Sequence, residues 1–157
     1  MTIKLIAIGK TDNKNLQTLI DEYSKRLSFY INFEIEIIPD IKNVKYLTTN
    51  QQKDKEGELI LNKLQPTDAL ILLDENGLEY TSVKFAFYLQ KKMNSGIKTL
   101  VFVIGGPYGF SDQVYAKAKA KIALSQMTFS HQMVRLFVVE QIYRGYTILK
   151  NEPYHHQ

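Results

Sequence analysis

Leu100-Val101-Phe102-Val103-Ile104-Gly105-Gly106-Pro107-Tyr108-Gly109 is an apolar, β-branched run that stops abruptly in glycine and proline. Apolar residues at every position, rather than at alternate ones, are what a strand buried on both faces requires. That means a parallel strand inside a sheet, with helices above and below. Gly105 and Gly106 carry no Cβ and let another molecule approach the backbone, while Pro107 fixes its φ and removes a donor. The same residues also suit a plain strand-to-loop turn.

Outward from this run, apolar strands alternate with helical patterns. Residues 3–8 are predicted as the first strand. Leu16, Leu19, Ile20, Tyr23 and Leu27 recur at helical spacing with Asp21, Glu22, Lys25 and Arg26 between them, an amphipathic helix laid on a sheet. Phe33, Ile35 and Ile37 alternate with Glu34 and Glu36, so this strand has one wet face and belongs near an edge. Helices are predicted over about 51–64, ended by Pro66, and about 82–93, closed by Asn94-Ser95-Gly96. Between them a buried strand, 69–73, leads to a turn at Asp74-Glu75-Asn76-Gly77. Ser111 and Asp112 cap a short helix, 122–125 is a fifth strand, and a loop through Met127, Thr128 and Phe129 reaches a final helix over about 130–149. This order predicts an α/β fold with a mainly parallel sheet and helices on both faces, one domain over residues 1–157.

The balance of 45% hydrophobic and 23% charged residues is that of an ordinary globule. Without cysteine, disulfides and thiolate metal sites are excluded, which fits a reducing cytoplasm, the expected location. The apolar run at the N-terminus is interrupted by Lys4 and is too short for a signal peptide or a membrane span, so no membrane association is expected. Charge is uneven: residues 1–78 carry 10 Lys and Arg against 12 Asp and Glu, whereas residues 79–157 carry 10 against 4. A positive second half suits a polyanion such as nucleic acid. Lys117, Lys119 and Lys121, alternating with alanine, equally suit an exposed segment kept in solution by charge.

Ligands of open parallel sheets sit beyond the carboxyl ends of strands, so the loops after Leu73, Ile104 and Leu124 are the expected site. Neither G-x-G-x-x-G nor a Walker loop is present, which argues against dinucleotide and triphosphate chemistry. His131, His155 and His156 lack metal-ligand spacing, and no metal is expected. The final helix is apolar round most of its circumference: Met133, Val134, Leu136, Phe137, Val138, Val139, Ile142, Tyr143 and Tyr146 leave a stripe of Arg135, Glu140, Gln141 and Arg144. One sheet face cannot cover such a helix, which predicts a subunit interface and a two-fold homodimer. Glu140 and Arg144, four apart, would form an ordinary surface pair if the helix were exposed.

Several separated motifs occur in order: Ile8-Gly9-Lys10, Glu22-Tyr23-Ser24-Lys25-Arg26-Leu27, Lys55-Glu56-Gly57, Gly105-Gly106-Pro107-Tyr108-Gly109, Leu124-Ser125-Gln126-Met127-Thr128-Phe129-Ser130-His131-Gln132-Met133-Val134-Arg135, Glu140-Gln141-Ile142-Tyr143-Arg144-Gly145-Tyr146 and Glu152-Pro153-Tyr154-His155. With them the chain resembles, over nearly its whole length, the bacterial ribosomal RNA large subunit methyltransferase H family. The resemblance implies a SPOUT-type α/β domain with a C-terminal trefoil knot, working as a homodimer with S-adenosylmethionine. The substrate it implies is a pseudouridine in helix 69 of 23S ribosomal RNA, methylated at N3 within the ribosome. It places the cofactor at Leu73, Gly105, Leu124, Ser125, Gln126, Met127, Thr128 and Phe129. Ser130 stands where this family usually has proline, and Gly145 where alanine is usual, the latter at about 1 kcal/mol in helix propensity.

Methylation at N3 requires loss of the N3 proton and donors near the ring's carbonyl oxygens. Arg144 is of the type to stabilise negative charge or bind phosphate. Tyr154 and His155 are of the type to order over the base, stack on it and move the proton. A frayed tail is the alternative for His155 and His156, and plain core packing for Leu73 and Met127. His131 is expected to order the cofactor loop or the start of the last helix. The rival classes are a SPOUT enzyme for another RNA and a non-catalytic α/β binding module.

Overall fold

The computed structural model describes residues 1–156. Its elements run β1 (Thr2–Ile8), α1 (Lys14–Leu27), β2 (Asn32–Ile38), α2 (Thr49–Leu61), β3 (Ala69–Glu79), α3 (Ser82–Asn94), β4 (Thr99–Ile104), α4 (Asp112–Lys117), β5 (Ala120–Ala123) and α5 (Met133–Leu149). The five strands form one sheet in the order β2-β1-β4-β3-β5, and every pair is parallel. The all-apolar run in β4 has its reason here, because β4 lies in the middle of the sheet and feeds two cores. On one face Leu100 and Phe102 join Ile3, Leu5 and Ile71 beneath Leu16 and Ile20 of α1, Leu89 of α3, and Val138 and Ile142 of α5. On the other, Val101 and Val103 join Ile6, Leu70 and Leu72 beneath Ile60 of α2 and Val114 of α4.

Helix starts follow their caps. Asn13 accepts the N–H groups of Asn15 and Leu16, Thr48 and Gln51 form a reciprocal capping box, and Ser111 caps α4. β2 takes the edge its alternation requires, and Glu36 on its wet side pairs with Lys63 at 2.8 Å and Lys4 at 3.3 Å. Among the described residues no helix is long and apolar enough to cross a membrane.

Four elements differ in their bounds from the sequence reading. Residues 74–77 do not end the third strand. β3 continues to Glu79, and its pairing with β5 shifts between Leu73 and Leu78, which both oppose Ile122. Gly77 permits this bulge, since a Cβ there would lie 2.5 Å from the backbone of Ile122. β5 begins and ends two residues earlier than expected. α2 stops at Leu61, short of 64. The helix expected from 130 starts at Met133, although Ser130 still caps it: its Oγ accepts Met133 N–H at 3.1 Å and its carbonyl accepts Val134 N–H at 3.0 Å.

The apolar girth of α5 has a cause within the chain, because α5 packs against both α1 and α3 as well as the sheet. Its glycine belongs to that packing: a Cβ on Gly145 would come within 2.9 Å of Leu89 Cδ1 on α3. Close helix approach therefore offsets the propensity loss.

Candidate active site

Strands β4, β3 and β5 are neighbours, so the loops leaving β4 and β5 meet the bulge that interrupts β3 after Leu73. They enclose a cavity of about 330 Å³. Leu73, Gly105, Leu124, Ser125, Met127, Thr128 and Phe129, all expected from the sequence, line it, whereas Gln126 does not. Met127 is 77% exposed, which removes core packing as its explanation. Gly105 lies against Phe110, whose ring would be 3.1 Å from an added Cβ, so the cavity keeps its width there because position 105 has no side chain. Ser125 Oγ accepts Met127 N–H at 3.0 Å and shapes the third loop.

Sequence reasoning missed several lining groups. Asp74, Glu75 and Asn76 come from the bulge after Leu73, and Phe110 and Tyr115 from the start of α4; His131 and Val134 come from the start of α5. Tyr115 OH donates to Asp74 Oδ2 at 2.5 Å; burial and that bond push the phenol up to about 12. The turn expected after Leu73 was the available signal for 74–76. Nothing local marked Phe110 or Tyr115.

Arg135 was read as part of a polar stripe but is 3% exposed. Its guanidinium donates to Ile8 O and Gly9 O, each at 2.8 Å, to Thr11 Oγ1 at 3.1 Å, and through Nε to His131 O at 3.1 Å. Burial lowers its pKa, and Asp12 and Asp40 only partly oppose that. The bonds tie the start of α5, and so the His131 side of the cavity, to the end of β1. The contact at 131 is made by the backbone carbonyl and not by the imidazole.

Arg144, Tyr154 and His155 form a second group. Glu140 Oε1 accepts from Arg144 Nε at 3.0 Å, Arg144 Nη2 at 2.5 Å and Tyr154 OH at 2.9 Å. The guanidinium lies 4.6 Å over the Tyr154 ring, and its Nη1 is 3.4 Å from His155 Nδ1. With its own proton given to Glu140, Tyr154 OH accepts from Tyr23 OH at 3.2 Å, and its ring packs edge-on to Tyr143 at 4.8 Å. Tyr30 OH donates to Glu152, and Glu152 N–H donates to Thr147 O at 2.9 Å. The tail through His155 is therefore held on α1 and α5 rather than frayed.

Charge states follow from these contacts. Burial pulls the Arg144 pKa down, but the Glu140 carboxylate more than compensates and holds the cation. Burial, then the bonds to Tyr23 and Glu140, push the Tyr154 phenol well above its usual range, so it acts as a donor and not as a base. Among the described residues no group of three or more acidic or histidine side chains converges on a common point as a metal site would.

The two groups do not meet within one chain. None of Arg144, Tyr154 and His155 lines the cavity, and from Val134 to Arg144 the helix rises about 15 Å.

An all-parallel α/β sheet with a cavity over adjacent strand ends is the architecture of a small-molecule-binding α/β domain. A family model described as "Predicted SPOUT methyltransferase" matches residues 1–155, and the chain belongs to the SPOUT methyltransferase family. It is 78% identical over 157 residues to the protein named Ribosomal RNA large subunit methyltransferase H of Flavobacterium psychrophilum, and 63% identical to that of Parabacteroides distasonis, each match covering 100% of both chains. Among solved structures it is similar to "a probable methylase family protein from Haemophilus influenzae Rd KW20", with a TM-score of 0.50 and 11% identity. That match covers 95% of this chain and 66% of the other, and it bears on the fold alone.

The methyl donor of the family is S-adenosylmethionine, and the cavity suits it. The volume lies at the lower end for ligand sites. Residues 104–109, 124, 125 and 127–129 line the cavity, with Leu73, Leu124 and Met127 as apolar cover. The side chains of Asp74 and Glu75 favour a cationic ligand over a triphosphate. Leu73, Gly105, Leu124, Ser125, Met127, Thr128 and Phe129 would hold it.

Proposed function

We propose that this chain transfers a methyl group from S-adenosylmethionine to N3 of a pseudouridine in 23S ribosomal RNA, working in the cytoplasm as a homodimer in which the tail of one copy faces the cavity of the other. The observation that carries this reading is the separation just described: a donor cavity and an ordered tail cluster, each well formed, lie too far apart on α5 to serve one reacting atom. A second copy removes the gap. Met127, Phe129, Met133 and Phe137 are exposed beside the cavity, and Phe129 packs on Phe137 at 5.1 Å, giving an apolar surface for that copy.

S-adenosylmethionine supplies an electrophilic methyl group when bound. The chain's own residues prepare the ring. The His155 imidazole accepts the N3 proton, because Arg144 is held as a cation and Tyr154 as a phenol. Arg144 stabilises the negative charge that spreads onto the ring carbonyls, and Glu140 fixes its direction. Tyr143 and Tyr154 offer aromatic surface for the base. The trefoil knot implied by the family resemblance belongs to the same proposal. It is supported by the path of the chain, which leaves β5 at one edge and brings Gln132 to Lys10 O at 3.0 Å and Asp12 N–H at 3.1 Å, beyond β1.

Mixed dimers test the reading. A tail variant, Arg144→Ala with Tyr154→Phe, and a cavity variant, Gly105→Trp, are each expected to be inactive. Refolded together, they should regain about a quarter of wild-type methylation of ribosomal RNA through one intact cavity–tail pair per heterodimer. Mixed dimers as inactive as their parents would overturn it.

A further inference from the structure

Glu56 is a buried acid that the proposed chemistry leaves unused. It lies on α2, beneath the face of the sheet away from α5, and is 3% exposed. Its Oε1 accepts from Gln52 Nε2 at 3.0 Å, while Oε2 is buried with no partner among the described residues. The carboxyl group is pressed against Gly106, where an added Cβ would overlap Oε2; the next residue, Gly57, lies as close to the Ser111 hydroxyl that caps α4. α2 thus forms the underside of the 105–110 turn, whose other side walls the cavity. Within that turn Gly106 and Gly109 form an isolated antiparallel bridge, with Gly109 N–H donating to Gly106 O at 3.2 Å, while Tyr108 N–H donates to no described protein group. An orphan acceptor lies against a turn with a free donor, and such a buried acceptor is costly until it is paired.

We propose that Glu56 is a positioning residue for the cofactor turn: as a carboxylate, its free Oε2 accepts a backbone N–H of the 106–109 turn in the cofactor-bound protein and so fixes the wall against which S-adenosylmethionine packs. The inference rests on the cofactor reading of the cavity. Among the described residues no cation offsets the carboxylate. The neutral Gln52 amide faces it from its own helix, the Asp40 carboxylate from the segment after β2, and backbone from the turn, with the Ser111 hydroxyl alongside. Burial, with Asp40 adding to it against the Gln52 bond, raises the pKa of Glu56 above the ordinary glutamate value. In the ligand-free protein the acid therefore keeps its proton to higher pH than an ordinary glutamate does, and pairing Oε2 with an N–H in the cofactor-bound protein favours its release. Affinity should rise with pH through the titration of Glu56.

Titration calorimetry with S-adenosylhomocysteine tests this. From about pH 5 to about pH 8 the wild type is expected to bind about tenfold tighter with net proton release, while E56Q shows no slope and binds about tenfold more weakly at the upper end. E56D should keep the slope at reduced affinity. A purely structural Glu56 predicts something different: E56Q, relieved of a buried carboxylate, would melt higher and bind as the wild type does. Wild-type affinity and an unchanged pH slope in folded E56Q would overturn the proposal; should E56Q not fold, loss of the slope in E56D would do so. No binding by the wild type at any pH would instead overturn the cofactor reading, and the proposal with it.

Discussion

Arg135→Met is expected to lower the melting temperature by about 6–12 °C, and the structure supplies the magnitude. The guanidinium makes four hydrogen bonds. Two of its acceptors, Thr11 Oγ1 and His131 O, belong to residues that are not buried, so water can replace the lost donor there. The other two, Ile8 O and Gly9 O, belong to buried residues at the end of β1 and would be stranded, at about 1–3 kcal/mol each. Methionine returns part of this through apolar packing and by removing a desolvated charge, which leaves about 3 kcal/mol. At about 2–4 °C per kcal/mol for a chain of this length, the stated range follows. Arg135→Lys retains the charge but offers a point donor in place of a planar fork, so about half the loss is expected. Calorimetry gives the melting temperature, and amide hydrogen exchange should show faster opening at 131–137 with little change in α2. A methionine variant melting within about 2 °C of the wild type would refute the reasoning, because it would mean that the strand-end carbonyls do not depend on this cation.

Two further outcomes follow from the charge states. The Tyr30 phenol, raised to about 12 by its bond to Glu152 and then by burial, contributes stability that is complete below its ordinary value of 10.0 and lost as pH climbs through about 12. NMR order parameters for residues 150–156 should therefore fall over that interval, and in Tyr30→Phe they should be low already at neutral pH; a tail equally ordered in both proteins would contradict the bond's role. Glu36 is held below the usual carboxylate range by Lys63, burial opposing and Lys4 assisting, so its contribution exists above the ordinary glutamate value and disappears as pH falls through the lowered one. Lys63→Ala should cost up to about 1 kcal/mol in urea unfolding at neutral pH and nothing in acid, and a penalty unchanged by acid would show that the ion pair is not its source.

Most of the fold was legible because burial on both faces writes itself into β4 as an unbroken apolar run, and half-exposure into β2 as alternation. The cavity was legible for the same reason, since strand ends locate ligands in parallel sheets. What could not be read depends on contacts remote in sequence. Gly77 lies on the backbone of Ile122, which turns an expected loop into a bulged strand. Asp74 meets Tyr115 across 41 positions and Arg135 meets Ile8 across 127, so no local pattern marks either. The girth of α5 was visible, but not its cover, because α1 and α3 both flank it while a sequence gives no helix adjacency. The separation of the tail cluster from the cavity likewise required the register of α5.

β5 meets the sheet through four residues at an open margin, yet the loop after it supplies much of the donor cavity. β5 pairs with β3 alone, so a ligand that bridges the loops around the cavity adds to what holds this margin in place, by mass action.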